Sequence, residues 1–327
     1  MCSAKEPLIV IAGPTAVGKS DIAAELARRI DGEVISADSM QVYRYMDIGS
    51  AKVTLEEMLG VPHHMIDVCD PRDSMDAARY AAMVREILPE IRGRGHIPIL
   101  CGGTGFYIQA VTRDIHFTET ETDTAYREEM MQYAREHGNE QLHALLASID
   151  PDAASSIHPN NVKRVIRALE YAKQTEGLIS EHNREERERR SPYDLLYIVL
   201  TDRRDRLYER INARVDFMAA EGLVDEVAYL SAMGLTREHI SMQGIGYKEV
   251  LEALEGLISC EEALDKVKLA SRHYAKRQLT FFKREEDAVW LSREDYDDDT
   301  FKLLDAVLRL VSERYHVTPK KVRDPHT

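Results

Sequence analysis

The feature that most constrains this chain is Gly13-Pro14-Thr15-Ala16-Val17-Gly18-Lys19-Ser20. It matches GxxxxGK[ST] and stands between an apolar run, "PLIVIA" at 7–12, and a segment of helical spacing, "SDIAAELARRI". Glycines in such a loop let the backbone wrap closely, so that successive N–H groups converge on phosphate oxygens. The helix N-terminus adds its partial positive charge. Lys19 supplies a full charge, and the Ser20 hydroxyl is placed to ligate Mg2+. The loop specifies a phosphate and leaves its carrier open. Most loops of this spacing hold ATP or GTP, so nucleotide binding is one expectation.

The rest of the chain supplies the sheet that this loop requires. "GEVISADS" (32–39), "IPILCGGTG" (97–105), "DLLYIVLTD" (194–202) and "DAVWLS" (287–292) read as four further strands, separated by helical patterns such as 75–95. Apolar strands alternating with helices indicate a parallel sheet covered on both faces. The stretch 118–190 lacks a strand and carries helical periodicity throughout. It is expected to be an all-helical insertion in a core made of 1–117 and 191–315, with a disordered tail at 316–327. No apolar run approaches the roughly 18–20 residues needed to cross a bilayer, and "MCSAKEPLIVIAG" has too short an apolar run for a secretory signal. Cys2, Cys69, Cys101 and Cys260 are scattered, which argues against a disulfide framework or a zinc site and fits the reducing cytoplasm.

Two loops beyond the first offer chemistry. Asp38 follows the second strand, at the sheet edge where open α/β proteins place ligands, and could act as a base, a metal ligand or a helix cap. After the third strand comes Gly102-Gly103-Thr104-Gly105-Phe106-Tyr107, whose glycines let backbone and hydroxyl approach a ligand closely. His63 and His64 are adjacent, so they cannot share a strand face as metal ligands would, and structural roles are expected. The net charge of −14 disfavours a polyanionic partner on its face, yet cations concentrate at 160–170, 203–216 and 271–284. Arg203, Arg206, Arg210 and Arg214 lie along one helix face. In the last cluster Tyr274, Phe281 and Phe282 interleave with Arg272, Lys276, Arg277, Lys283 and Arg284, a mixture suited to unpaired RNA bases.

Together "GPTAVGKS", "SADSMQVYR", "DIGSAK", "HHMID", "GGTGFY", "HPNNVKRVIRALE", "RINARVDFMAAEGLVDEV", "QGIGYKE" and "YAKRQLTFFKR" resemble the bacterial tRNA dimethylallyltransferases, also called tRNA isopentenylpyrophosphate transferases, over residues 7–292. The resemblance implies a P-loop-kinase-like parallel sheet flanked by helices, with an all-helical insertion. It implies a monomer that transfers a dimethylallyl group from dimethylallyl diphosphate to N6 of the adenine 3′ of the anticodon, with Mg2+ as cofactor. Asp38, Thr104 and Arg214 would be catalytic, and Gly13, Pro14, Thr15, Ala16, Val17, Gly18, Lys19 and Ser20 would hold the diphosphate, with Ser20 on the metal. The tRNA anticodon stem-loop would meet Asp38, Ser39, Met40, Gln41 and Thr104. In the insertion it would meet Arg127, Asn161, Val162, Lys163 and Arg164. It would also meet Gln243, Gly244, Ile245, Gly246, Tyr247 and Lys248, and then Arg272, Lys276, Arg277 and Gln278. Three alternatives remain: an adenylate isopentenyltransferase using free nucleotides, against which the insertion and the basic clusters argue; a small-molecule kinase, for which no Arg-rich lid or adenine pocket is recognisable; and an RNA-binding protein with a degenerate nucleotide site, against which the intact Gly18-Lys19-Ser20 argues.

Overall fold

Leu8 through Ala12 have no exposed surface at all, because their strand lies in the middle of the sheet. The structure, a computed structural model, describes residues 5–115, 123–175 and 177–320. Among them six parallel strands run in the order β3-β2-β4-β1-β5-β6. They are β1 (Pro7–Ala12), β2 (Gly32–Ser36), β3 (His63–His64), β4 (Ile97–Gly102), β5 (Asp194–Thr201) and β6 (Val289–Ser292). The register sets Ala12 beside Gly102 and Val199, and Ser36 beside Cys101. The carboxyl ends of β1, β2 and β4 therefore finish level, and the three loops that leave them share one edge. Strand order reverses at β1, which makes that edge the place for a ligand.

Contacts divide the chain into two compact units, Met1–Thr112 with Pro192–Thr327, and Arg113–Ser191. The first holds α1 (Lys19–Ile30), α2 (Ala77–Gly93) and α3 (Gly105–Thr112), and the second holds α4 (Thr124–His137), α5 (Asn139–Ile149), α6 (Pro151–Ser156), α7 (Val162–Thr175) and α8 (Ile179–Glu188). The first unit resumes with α9 (Arg204–Ala220), α10 (Leu223–Ala232), α11 (Tyr247–Leu254), α12 (Cys260–Phe282) and α13 (Thr300–Tyr315). In α12 the start is set by a reciprocal cap: Glu262 N–H donates to Ser259 Oγ and Ser259 N–H to the Glu262 carboxylate. No helix among the described residues is long and apolar enough to cross a membrane.

The five expected strands are present, with β2 and β4 ending sooner, at Ser36 and Gly102, where the chain turns into the loops. The short β3 is an addition, paired to Val34 and Ile35. Of the tail expected to be disordered from 316, the described part, residues 316–320, is placed against the core. Val317 packs on the core and Lys320 N–H donates to Arg29 O at 2.7 Å, which satisfies a carbonyl in the last turn of α1. Residues 321–327 of that tail lie outside the described residues, as do 116–122 around the expected start of the insertion.

In the helical unit a small core forms around Met130, Leu142, Leu146, Val165, Ile166 and Leu169. Its buried Glu170 accepts hydrogen bonds from Arg127 Nε and Nη2 at 2.9 and 2.8 Å, from Arg167 Nη1 and from Asp123 N–H. A carboxylate there is tolerated only if it is paired. Arg127, expected on tRNA, thus has its guanidinium committed to an internal charge. Asn161, Lys163 and Arg164 are exposed, and Val162 is half-buried against the unit's core.

At the opposite end of β2 from the loops, Glu33 is 1% exposed and collects Arg94 (2.7 and 2.8 Å), His64 (2.6 Å) and His96 (2.6 Å). The Arg94 hydrogen bonds, helped by the two histidines, hold its carboxyl at about 2 against burial. A carboxyl depressed in this way stabilises the fold above its unfolded value, near 4.5, and loses that contribution as pH falls toward 2. Glu33→Gln is expected to lower stability at neutral pH by about 2 kcal/mol and to flatten its decline between pH 4.5 and 2, read by urea denaturation across that range.

Candidate active site

Thr15 N–H donates to Gln278 Oε1 at 2.9 Å, and Gln278 Nε2 donates to Gly103 O at 2.9 Å. One buried side chain on α12 therefore ties the loop after β1 to the loop after β4. The contact is close: a Cβ on Gly103 would stand 2.1 Å from Gln278 Nε2, so only glycine lets the two meet. The loop after β2 is joined at the same place. Ser39 N–H donates to Thr104 Oγ1 at 3.0 Å, Thr104 N–H donates to Ala37 O, and Asp38 Oδ1 accepts from Met40 N–H.

The three loops border a small cleft, open to solvent and lined by Thr15, Lys19, Ser20, Asp38, Gln41 and Arg214, with Ser36, Ser50, Cys101 and Gly102. Lys19 and Arg214 are its cations, and Asp38 is the carboxylate that lines it. Burial pushes both cations below their ordinary values, Asp38 and Asp21 oppose this in each case, and a neighbouring guanidinium adds to it, that of Arg214 for Lys19 and that of Arg210 for Arg214. Lys19 Nζ has only a long 3.4 Å bond to Pro14 O, and Arg214 makes no hydrogen bond or ion pair among the described residues. Two crowded cations lining one cleft can receive a ligand with more than one negative charge. Cys101, also in the cleft wall, is pushed up to about 12 by burial and stays a thiol.

The phosphate loop is gripped from behind as well. Arg210 Nε donates to Ala16 O at 3.0 Å, and the buried Arg293 donates to Val17 O at 3.3 Å while its Nε binds Asp298 at 2.7 Å. A loop whose N–H groups face a phosphate points its carbonyls outward, and these guanidiniums meet them. Arg210 carried a signal in the sequence, one turn before Arg214 on the same face. Arg293, which lies 276 residues from Val17, carried none.

The expected RNA contacts divide by exposure. Gln243, Lys248, Lys276 and Arg277 are on the surface, with Arg277 5.6 Å over the Tyr274 ring. Gly244 abuts Met40, Ile245 is half-buried, and Gly246, Tyr247 and Gln278 are buried. Arg272 donates to Asn212 at 2.6 Å. The aromatics of the last cluster do not form a stacking surface. Phe282 is wholly buried, Phe281 lies against Gly105, and the Tyr274 hydroxyl bonds Thr104 and Gln278, its pKa pushed up to about 12 by burial.

The strand order and this cleft define a class, the α/β enzymes of P-loop-kinase-like fold. The sequence profile of the IPP transferase family matches residues 41–285, and the chain belongs to that family. A tRNA dimethylallyltransferase of Lachnoclostridium phytofermentans is 50% identical over 309 residues, 94% of this chain and 98% of that one. The crystal structure of a tRNA isopentenylpyrophosphate transferase of Bacillus halodurans is 45% identical, covers 95% of this chain and 97% of its own, and superposes with a TM-score of 0.71. A eukaryotic dimethylallyltransferase acting on tRNA is 29% identical with a TM-score of 0.80, over 98% of this chain and 82% of that one.

Replacing Gln278 by Leu would leave Thr15 N–H and Gly103 O without their partner. It is expected to cost about 1–3 kcal/mol of stability. It should also weaken binding of inorganic diphosphate about tenfold, because the loop loses its brace; melting curves and calorimetry would register the two effects separately.

Proposed function

We propose that this chain transfers a dimethylallyl group from dimethylallyl diphosphate to N6 of the adenine 3′-adjacent to the anticodon of tRNA, releasing diphosphate. The observation that carries the reading is the single carboxylate, Asp38, lining the same cleft as the phosphate loop and the cations Lys19 and Arg214. Leaving-group site and proton acceptor then share one cavity, as an alkylation of an amine by an allylic diphosphate needs.

The allylic C–O bond breaks and its electron pair leaves on diphosphate, where charge grows. Loop N–H groups, Lys19 and Arg214 face that charge, a preorganised arrangement typically worth several kcal/mol. The N6–C bond forms, and the nitrogen, now strongly acidic, passes a proton to Asp38. Asp38 is held in place by its bond from Met40 N–H, and Thr104, fixed between Ser39 N–H and Tyr274, keeps the acceptor in line. Mg2+ fits the donor set. Among the described residues no group of three acidic, histidine or cysteine ligands exists to cage an ion, but Mg2+ bound with phosphates keeps its waters and needs little more than the Ser20 hydroxyl. There it would neutralise diphosphate charge.

An adenine stacked in an anticodon loop must be turned out to reach the cleft, at a cost of a few kcal/mol. The exposed cations Lys248, Lys276 and Arg277 in the first unit, and Lys163 and Arg164 in the helical unit, supply phosphate contacts that offset it. Asp38→Ala is expected to lower kcat at least a hundredfold with little change in donor KM; a normal turnover would remove Asp38 from the chemistry. Arg277→Ala is expected to weaken tRNA binding and make its salt dependence shallower by about one phosphate's worth, which filter binding from low to high salt would read. The deciding assay supplies labelled dimethylallyl diphosphate and Mg2+ with unmodified tRNA or with free AMP and ATP. Label in tRNA alone supports the reading, and label in free nucleotide overturns it.

A further inference from the structure

Four successive backbone N–H groups, from Asp47 to Ser50, point at two side chains far along the chain. Glu226 Oε2 on α10 accepts from Asp47 and Ile48 at 2.8 and 2.7 Å, and its Oε1 accepts from Gly49 at 3.0 Å. The hydroxyl of the buried Tyr247, first residue of α11, donates to the same Oε1 at 2.9 Å and is met by the backbone of Ser50. Burial and the neighbouring carboxylate hold the Tyr247 pKa far above its ordinary value, so the phenol keeps the proton it donates. The ring lies against Gly49 so closely that a Cβ there would fall 2.6 Å from it.

This loop needs an outside hold. Tyr45 (φ 66) and Ala51 (φ 47) both occupy the left-handed region without being glycine. What it carries faces the cleft. Ser50 lines it, Ala51 O accepts from Gln41 Nε2 at 3.1 Å, and Gln41 Oε1 accepts from Ser36 Oγ, both of these residues also lining the cleft. The segments "DIGSAK", "GLVDEV" and "QGIGYKE" thereby meet in one construction, and the Tyr of the last turns inward while Gln243 and Lys248 stay on the surface.

We propose that Glu226 and Tyr247 act together as positioning residues that hold residues 47–51 so that Ser50 and Gln41 complete the wall of the donor cleft. The kinetic part of the test rests on the transfer activity inferred above, and the binding part does not. Glu226→Gln keeps the shape but puts an amide where only an acceptor serves four donors. Tyr247→Phe removes one oxygen and keeps the ring, so it remains informative if the first variant folds poorly.

Each single variant is expected to lower kcat/KM for the allylic diphosphate about tenfold or more, with a raised KM, and to weaken inorganic diphosphate with Mg2+ severalfold by calorimetry. Because one carboxylate serves both contacts, the double variant should lose no more than about twofold beyond either single one. A folded Tyr247→Phe protein with unchanged diphosphate affinity and kinetics overturns the proposal, as does a double variant whose losses multiply. If the wild-type chain transfers nothing to tRNA, the activity reading fails, and diphosphate affinity across the three variants still decides this one.

Discussion

The cleft depends on two cations, Lys19 and Arg214, that are held out of water and that form no ion pair among the described residues. Lys19 and Arg214 repel each other, and a chain free to relax would turn one of them into solvent. Lys19 cannot leave because it opens α1 at the end of the central strand, and Arg214 sits on a helix whose Leu207, Ile211 and Val215 are fixed in the core. The apolar face of α9 therefore supplies what the charged face costs, and the burial of three aliphatic side chains, each about 1.5–3 kcal/mol, is ample.

Around that centre the loops are locked by single side chains that each serve two segments. Gln278 joins the loops after β1 and β4, Thr104 joins those after β2 and β4, and Arg293 closes the back of the first. Gln278 and Arg293 are buried, Thr104 is half-buried, and each has hydrogen-bond partners in two segments, which fixes geometry more tightly than apolar packing could. The helical unit follows the same rule internally, with Glu170 gathering two arginines and a backbone N–H.

Much of this was legible in the sequence because it is local. The phosphate loop, the five longer strands, and the placing of Asp38 and Thr104 just beyond strand ends all follow from short patterns. The braces were not legible, since Glu226 and the 47–49 amides, or Arg293 and Val17, are brought together only by the tertiary fold. The two-residue β3 is too short to carry an alternating pattern. One misreading had its correction in the sequence. Tyr274, Gln278, Phe281 and Phe282 are spaced four, three and one residues apart, an inward stripe on a helix, and the neighbouring cations fall off it.

The position of β1 has a consequence for synthesis. The strand is made before the other five, yet one of its neighbours, β5, begins at Asp194, and an arginine that closes the phosphate loop from behind is residue 293. Between them the chain makes five helices that have a core of their own. A nascent chain can therefore settle its helical unit while the sheet still waits for its second half. The phosphate loop thus acquires its last contact long after its own residues are made, and a chain cut short before β6 carries it with the Val17 carbonyl unheld, although Arg210 can still reach Ala16 O.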